Sequence, residues 1–171
     1  MTAGVEWLDR VNKRDEVIGR VTRDEAWARS LPVRVINAFL VNSHGQLWIP
    51  RRTMHKRMFP GCLDMSVGGH VDSGEDYVEA FRRETQEELH IDLDMISWRE
   101  RAAFSPFETA LSAFMRVYEI HTDQAPDYNR DDFSEAWWLT PCELLRRIEA
   151  GDPAKGDLAE LVRLCYGDQL T

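Results

Sequence analysis

The chain has 171 residues, 43% hydrophobic and 30% charged, and its 30 Asp and Glu against 21 Lys and Arg leave a formal net charge of −9. That length is enough for one domain with a real core, and no apolar run approaches the roughly 18 residues that cross a bilayer. An isoelectric point near 5.0 argues against binding nucleic acid through a basic surface.

The start, Met1 to Trp7, lacks the basic and apolar segments of a signal peptide. Three scattered cysteines, Cys62, Cys142 and Cys165, read as reduced thiols, so a cytoplasmic protein is expected. Val5–Leu8 and Glu16–Gly19 flank the polar turn Asn12–Asp15, the pattern of a hairpin. Thr22 caps a short helix, with Glu25 placed to complete a capping box. Val33–Val41 is too apolar for a surface strand and is expected to run through the core, and Asn42–Gly45 turns it into a second strand at Gln46–Ile49.

Residues 51–61 form a polar loop, and a short strand is expected around Leu63–Val67, just before Gly68-Gly69. A helix follows from about Glu75 to Leu89, then strands at Ile96–Phe104, Leu111–His121 and Ala136–Leu139, with a polar loop at Asp123–Asp132. Thr140-Pro-Cys-Glu143 is a second capping box, opening a helix to about Glu149, and a last helix runs from Asp157 to about Cys165. One helix set among strands and two at the end indicate an α/β or α+β sandwich, not a doubly wound parallel sheet.

The helix at 75–89 is the informative one. At about 100° per residue, Val78, Phe81, Thr85 and Leu89 fall on one stripe and should face the core, while Glu84, Glu87 and Glu88 crowd a neighbouring face. Like charges at i,i+4 repel, and negative charge late in a helix opposes its dipole, so folding alone does not ask for this arrangement. A hard divalent cation does, because magnesium takes one or a few carboxylates and shares its other positions with water and phosphate. Gly69, Glu75, Arg83, Glu84, Glu87 and Glu88 stand in the pattern G-x5-E-x7-R-E-x2-E-E, closed by the aliphatic Ile91. At ordinary composition that alignment arises by chance in roughly 1 of 10⁵ such chains, which overrides the reading of an ordinary solvated acidic face.

The segment Gly69–Ile91 closely resembles the signature box of the Nudix hydrolases, and the order of strands around it extends the resemblance over about residues 33–150. Thr85 stands where an aliphatic residue is usual, and His90 where glycine is usual; the first can still pack its methyl, and the second implies local strain or a shifted helix end. The resemblance implies an α/β/α sandwich around a mixed sheet, carrying the box helix. On this reading 1–171 is a single Nudix domain, with an N-terminal hairpin and short helix over 1–31 and the core over 33–165.

The implied activity is hydrolysis of a phosphoanhydride bond in a nucleoside di- or triphosphate or another nucleoside diphosphate derivative, by water attack on phosphorus. The implied cofactor is magnesium, with manganese as an alternative. Glu84, Glu87 and Glu88 would be metal ligands, joined by the carbonyl of Gly69. Glu88 is the first choice as general base, with Glu87 beside it and Glu108 and Glu135 as candidates outside the box. Arg83 would orient Glu84 through an ion pair, and Glu75, in the first turn, would suit the positive helix end. The expected partner is a small nucleotide, not nucleic acid or membrane, and the protein is a monomer or homodimer.

Arg51-Arg52-Thr-Met-His-Lys56-Arg57 is the one dense basic run in this acidic chain, and its place before the box favours substrate phosphates for Arg51 and Arg52, and then for Lys56 and Arg57. Trp137 and Trp138 must point to opposite faces of a strand, one into the core and the other into packing, an interface or a base stack. Leu8-Asp9, Val17–Gly19, Phe59–Gly61 and Ser66–His70 also resemble isopentenyl diphosphate isomerase. That enzyme needs a cysteine where Gly68 stands and a histidine where Arg34 stands, and only His70 matches, which disfavours isomerase chemistry. His70 then reads as a substrate contact or as a remnant packed beside the box. A catalytically inactive nucleotide-binding regulatory module is the other alternative, and it predicts loss of a box glutamate that is in fact retained.

Overall fold

In the computed structural model, which describes residues 4–170, the most apolar stretch of the chain becomes the middle of its larger sheet. Strand β3 (Arg34–Val41) runs parallel to β7 (Phe114–His121) along its whole length, and β7 carries β6 (Ser97–Phe104) on its far side. On its other edge β3 has two partners in succession. It meets β4 (Leu47–Arg52) only at Val41 opposite Leu47, and it pairs through Val35–Ala38 with β5 (Val67–His70). β4 diverges and pairs with β8 (Phe133–Leu139) instead. The sheet therefore splits beside β5, and that split is where the site lies.

Both faces of β3 are covered, which is why its sequence does not alternate. Ile36, Ala38 and Leu40 pack toward α2 (Tyr77–Leu89), against Ala80, Phe81 and Leu89. Phe39 packs on the opposite side with Leu144 of α3 (Pro141–Glu149) and Leu158, Leu161 and Val162 of α4 (Leu158–Tyr166). Helix, mixed sheet and helices give the expected α/β/α layering. Among the described residues no helix is long and apolar enough to cross a membrane.

The N-terminal hairpin pairs β1 (Trp7–Val11) with β2 (Val17–Thr22) and leads into α1 (Arg23–Arg29). It is tied to the box and not appended to it. Buried Asp9 accepts bonds from the Ser73 hydroxyl (2.8 Å) and the Gly74 N–H (3.1 Å) in the loop before α2. Asp15 accepts from Arg34 Nε and from the Tyr77 hydroxyl, both at 2.7 Å.

Several local expectations shift. The strand expected at Leu63–Val67 lies instead at Val67–His70: Leu63 makes only isolated bridges to Arg51 and Ala154, and the two glycines carry the ladder to β3. α2 begins at Tyr77, because Asp76 is its cap and Asp76 with Glu79 forms the capping box. Glu75 therefore lies before the helix, and Val78 is 38% exposed while Ala80 takes the buried place. Thr22 caps α1 by accepting from Glu25 N–H, but the Glu25 carboxylate turns to Arg29, so that box is half formed. His90 adopts the left-handed conformation, φ 54°, that its position after α2 requires.

Candidate active site

The two glycines of β5 let two carboxylates approach the backbone. A Cβ on Gly69 would stand 2.2 Å from the carboxyl carbon and Oε1 of Glu84, so the Glu84 side chain occupies the space that any other residue would fill. Gly68 N–H faces Glu88 Oε1 at 3.5 Å. Burial pushes the Glu84 carboxyl up to about 7, against the pull of Arg83, and pushes Glu88 well above the usual carboxylate range, with Glu84, Asp64 and Asp132 adding to the effect. Two carboxyls that burial keeps from ionising thus stand close together, with a guanidinium, Arg83, on Glu84.

Arg83 holds Glu84 in place. Its guanidinium donates to Glu84 Oε1 (2.7 Å), to both oxygens of Glu75 (2.7 and 2.9 Å) and to the His70 carbonyl (3.1 Å). These bonds hold the Glu75 carboxyl below its usual range. Glu75 thus anchors Arg83 from the loop and not from the first helical turn. The Glu87 carboxylate is 58% exposed and lies 3.6 Å from Arg83. Among the described residues no three His, Cys, Asp or Glu side chains converge as a closed metal cage. The donor set that does converge, Glu84 and Glu88 beside a glycine backbone, is the sparse oxygen set magnesium prefers, with water and phosphate completing the shell.

These groups line a cleft of about 740 Å³ that follows the split in the sheet. Its basic wall holds Arg52, bonded to buried Asp64 (2.7 Å), Lys56, paired with Asp132, and Lys155, 3.5 Å from Asp64. Arg52 and Lys56 line the cleft. Arg51 does not. It is held by both oxygens of Asp152 (2.8 and 3.0 Å), by Glu135 (2.9 Å) and by the Gly61 carbonyl (3.0 Å), and lies outside the cleft lining. Arg57 reaches Asp24 on α1. Glu108 is exposed, and neither it nor Glu135 lines the cleft. Trp137 lies under Arg51 and Arg147, Trp138 packs on the α2 side, and neither reaches the cleft. His70 does line it, its imidazole driven down to about 4 by burial and by Arg23.

A model of the NUDIX domain matches residues 31–162. The chain belongs to the Nudix family. A Nudix hydrolase of Deinococcus radiodurans is 58% identical over 164 residues, 96% of each chain. An uncharacterized Nudix hydrolase of Nostoc sp. is 48% identical over 98% of this chain and all of its own length. A crystal structure of a D. radiodurans protein superposes with a TM-score of 0.90 at 59% identity, covering 94% of this chain and 99% of that one. The MutT protein of Methanosarcina mazei, 17% identical with a TM-score of 0.59 over 81% of this chain and 95% of its own, shares the fold. The chain is accordingly a Nudix pyrophosphohydrolase, and Nudix hydrolases generally use a divalent metal.

Sequence reasoning missed three residues of this Nudix cleft, Asn37, Asp132 and Lys155, and the buried Asp64 that holds Arg52 and Lys155 from behind it. Lys155 arrives on the connection between α3 and α4, which is pinned to Leu63 by backbone bonds from Leu63 N to Pro153 O (2.8 Å) and from Lys155 N to Leu63 O (2.9 Å). No local pattern marks that contact. Asp132 ends the loop whose Asn129 N–H donates to the Glu88 carbonyl (2.8 Å).

Proposed function

We propose that this protein hydrolyses a phosphoanhydride bond in a nucleoside di- or triphosphate, or another nucleoside diphosphate derivative, by attack of water on phosphorus, with magnesium or manganese as cofactor. The observation that carries this reading is the buried Glu84–Glu88 pair seated against Gly68-Gly69. A divalent ion bound there would neutralise phosphate charge and ease deprotonation of water. Glu84, Glu88 and the Gly69 carbonyl would hold it, with Glu87 joining from the open side. Glu88, the more buried carboxyl, serves as the proton acceptor. Arg83 keeps Glu84 from swinging away. Arg52, Lys56 and Lys155 face the phosphates, each already bound to a carboxylate that fixes its position.

Isomerase chemistry finds no thiol here: none of the three free cysteines, Cys62, Cys142 and Cys165, lines the cleft. Those free thiols also support the cytoplasm as the compartment. The reading of an inactive module is opposed by three retained box glutamates. The test is product identification on a panel of nucleoside di- and triphosphates and nucleotide conjugates in ¹⁸O-water, with magnesium and with chelator. Label in a phosphate product, with magnesium only, supports the reading. No turnover of any diphosphate compound overturns it.

A further inference from the structure

Among the described residues three buried side-chain polar atoms lack a hydrogen-bond partner: Arg10 Nε, Thr85 Oγ1 and Asn37 Oδ1. Of these, Asn37 belongs to the cleft. It is 1% exposed and sits in the middle of β3, opposite Gly68. Residues paired across an antiparallel ladder share a face. Asn37, Gly68, Val35 and His70 therefore face away from α2, while Gly69 faces Glu84. Oδ1 of Asn37 lies 2.8 Å from the place a Cβ on Gly68 would take, so only glycine there leaves room for the amide oxygen against β5 at the cleft wall.

The amide has a defined orientation. Its Nδ2 donates to the Met115 sulfur (3.3 Å), a weak acceptor, which leaves the carbonyl oxygen for the cleft. The reverse orientation would set oxygen against sulfur and gain nothing. Lys155, whose Nζ lies 3.6 Å from the same Cβ point, is directed to Asp64 and makes no hydrogen bond to Asn37. Val35, which shares its face of β3, and Met115, which accepts from its Nδ2, are apolar residues of the same cleft wall. An acceptor buried in such a setting is costly unless a donor arrives.

We infer that Asn37 is a specificity-determining residue, its Oδ1 accepting a hydrogen bond from an N–H or O–H of the nucleoside part of the substrate. The inference rests on the nucleotide-hydrolase reading above. A phosphate cannot be the partner, since its oxygens accept and do not donate at neutral pH. β5 is one strand wide and lacks a partner on its outer edge among the described residues. A nucleotide can therefore straddle it, with phosphates reaching from the Glu84–Glu88 side to Lys155 and the nucleoside lying beyond, against Asn37. The donor is a sugar hydroxyl or a base amino or imino group, and the chemistry of recognition is the same for each.

The experiment compares wild type with Asn37→Leu, and with Asn37→Ala should the first fail to fold, on the best-hydrolysed ribonucleotide, its 2′-deoxy form and a base analogue lacking the amino or imino donor. Binding of the same nucleotides is measured in chelator. A site built to accept one hydrogen bond discriminates strongly against partners that lack it. For the parent nucleotide, kcat/KM and affinity should fall about 10- to 100-fold, while the analogue missing the donor shows a difference under about threefold. Which analogue does so tells sugar from base. A loss equal across all nucleotides, or values within twofold of wild type throughout, overturns the assignment. Absence of turnover by the wild type would sink the reaction proposed above, and the binding comparison would still decide for or against Asn37.

Discussion

Gly69 and Glu84 share one volume: a Cβ on the glycine would lie 2.2 Å from the carboxylate. The Gly69→Ala variant must displace Glu84 or bend β5, and β5 is held to β3 by pairing on one edge. A stability loss of about 1–3 kcal/mol is expected, with kcat down about 10²-fold because a proposed metal ligand is moved by an ångström or more. Steady-state kinetics beside a denaturation curve check it. Wild-type kcat in the folded variant would refute the role given to this contact.

The fork of Arg83 spans Glu75, Glu84 and the His70 carbonyl. Lysine keeps the charge but cannot make these bonds together. Arg83→Lys should cost about 1–2 kcal/mol and raise the magnesium concentration for half-maximal rate. Glu75→Gln, which leaves Arg83 bound to Glu84, should do both more weakly. A magnesium titration of each variant's rate distinguishes this positioning role from simple packing.

Burial raises the Glu84 carboxyl from 4.5 to about 7. A carboxyl whose folded-state value lies above its unfolded one supports the fold fully below pH 4.5 and loses that contribution as pH rises through about 7. Metal-free protein should therefore lose thermal stability between pH 5 and pH 8. Glu84→Gln should flatten that slope, and magnesium should raise the melting temperature by several degrees more at pH 8 than at pH 5. Equal stabilisation by magnesium at both values would contradict it.

Arg51 and Lys155 are assigned opposite duties. Arg51 ties β4 to Asp152, Glu135 and the Gly61 carbonyl, and its side chain is 18% exposed. Arg51→Met should cost about 2 kcal/mol of stability while shifting kcat/KM by less than about threefold. Lys155→Met should lower kcat/KM about tenfold, chiefly through KM, at little cost in melting temperature. Paired kinetic and thermal measurements on the two variants check the contrast.

What the sequence disclosed and what it hid follow one division. The box helix was legible because i, i+3 and i+4 positions meet within one element. The apolar run of β3 was legible because a strand covered on both faces need not alternate. Arg51 lies apart from the cleft because β4 runs on through Arg52, where a polar loop was expected, and the two arginines bond to different carboxylates, Asp152 and Asp64. A strand at Leu63–Val67, before Gly68-Gly69, is expected from the sequence, yet both glycines lie within β5 and are the means by which Glu84 and Asn37 approach the backbone on either side. Asp64, Asp132 and Lys155 come from three distant connections, and their meeting is decided by long-range packing that no local spacing records.

The central claim, a metal-dependent hydrolase acting through the buried carboxyl pair, is tested most directly by the initial rate of nucleotide hydrolysis against magnesium concentration for wild type and Glu88→Gln. Activity should vanish in chelator and return with magnesium in the wild type. In Glu88→Gln it should fall at least about 10³-fold with no loss of melting temperature at pH 8, since the neutral amide no longer has to ionise in a buried site. A Glu88→Gln protein that turns over nucleotide at the wild-type rate, or a wild type indifferent to chelator, would contradict the account.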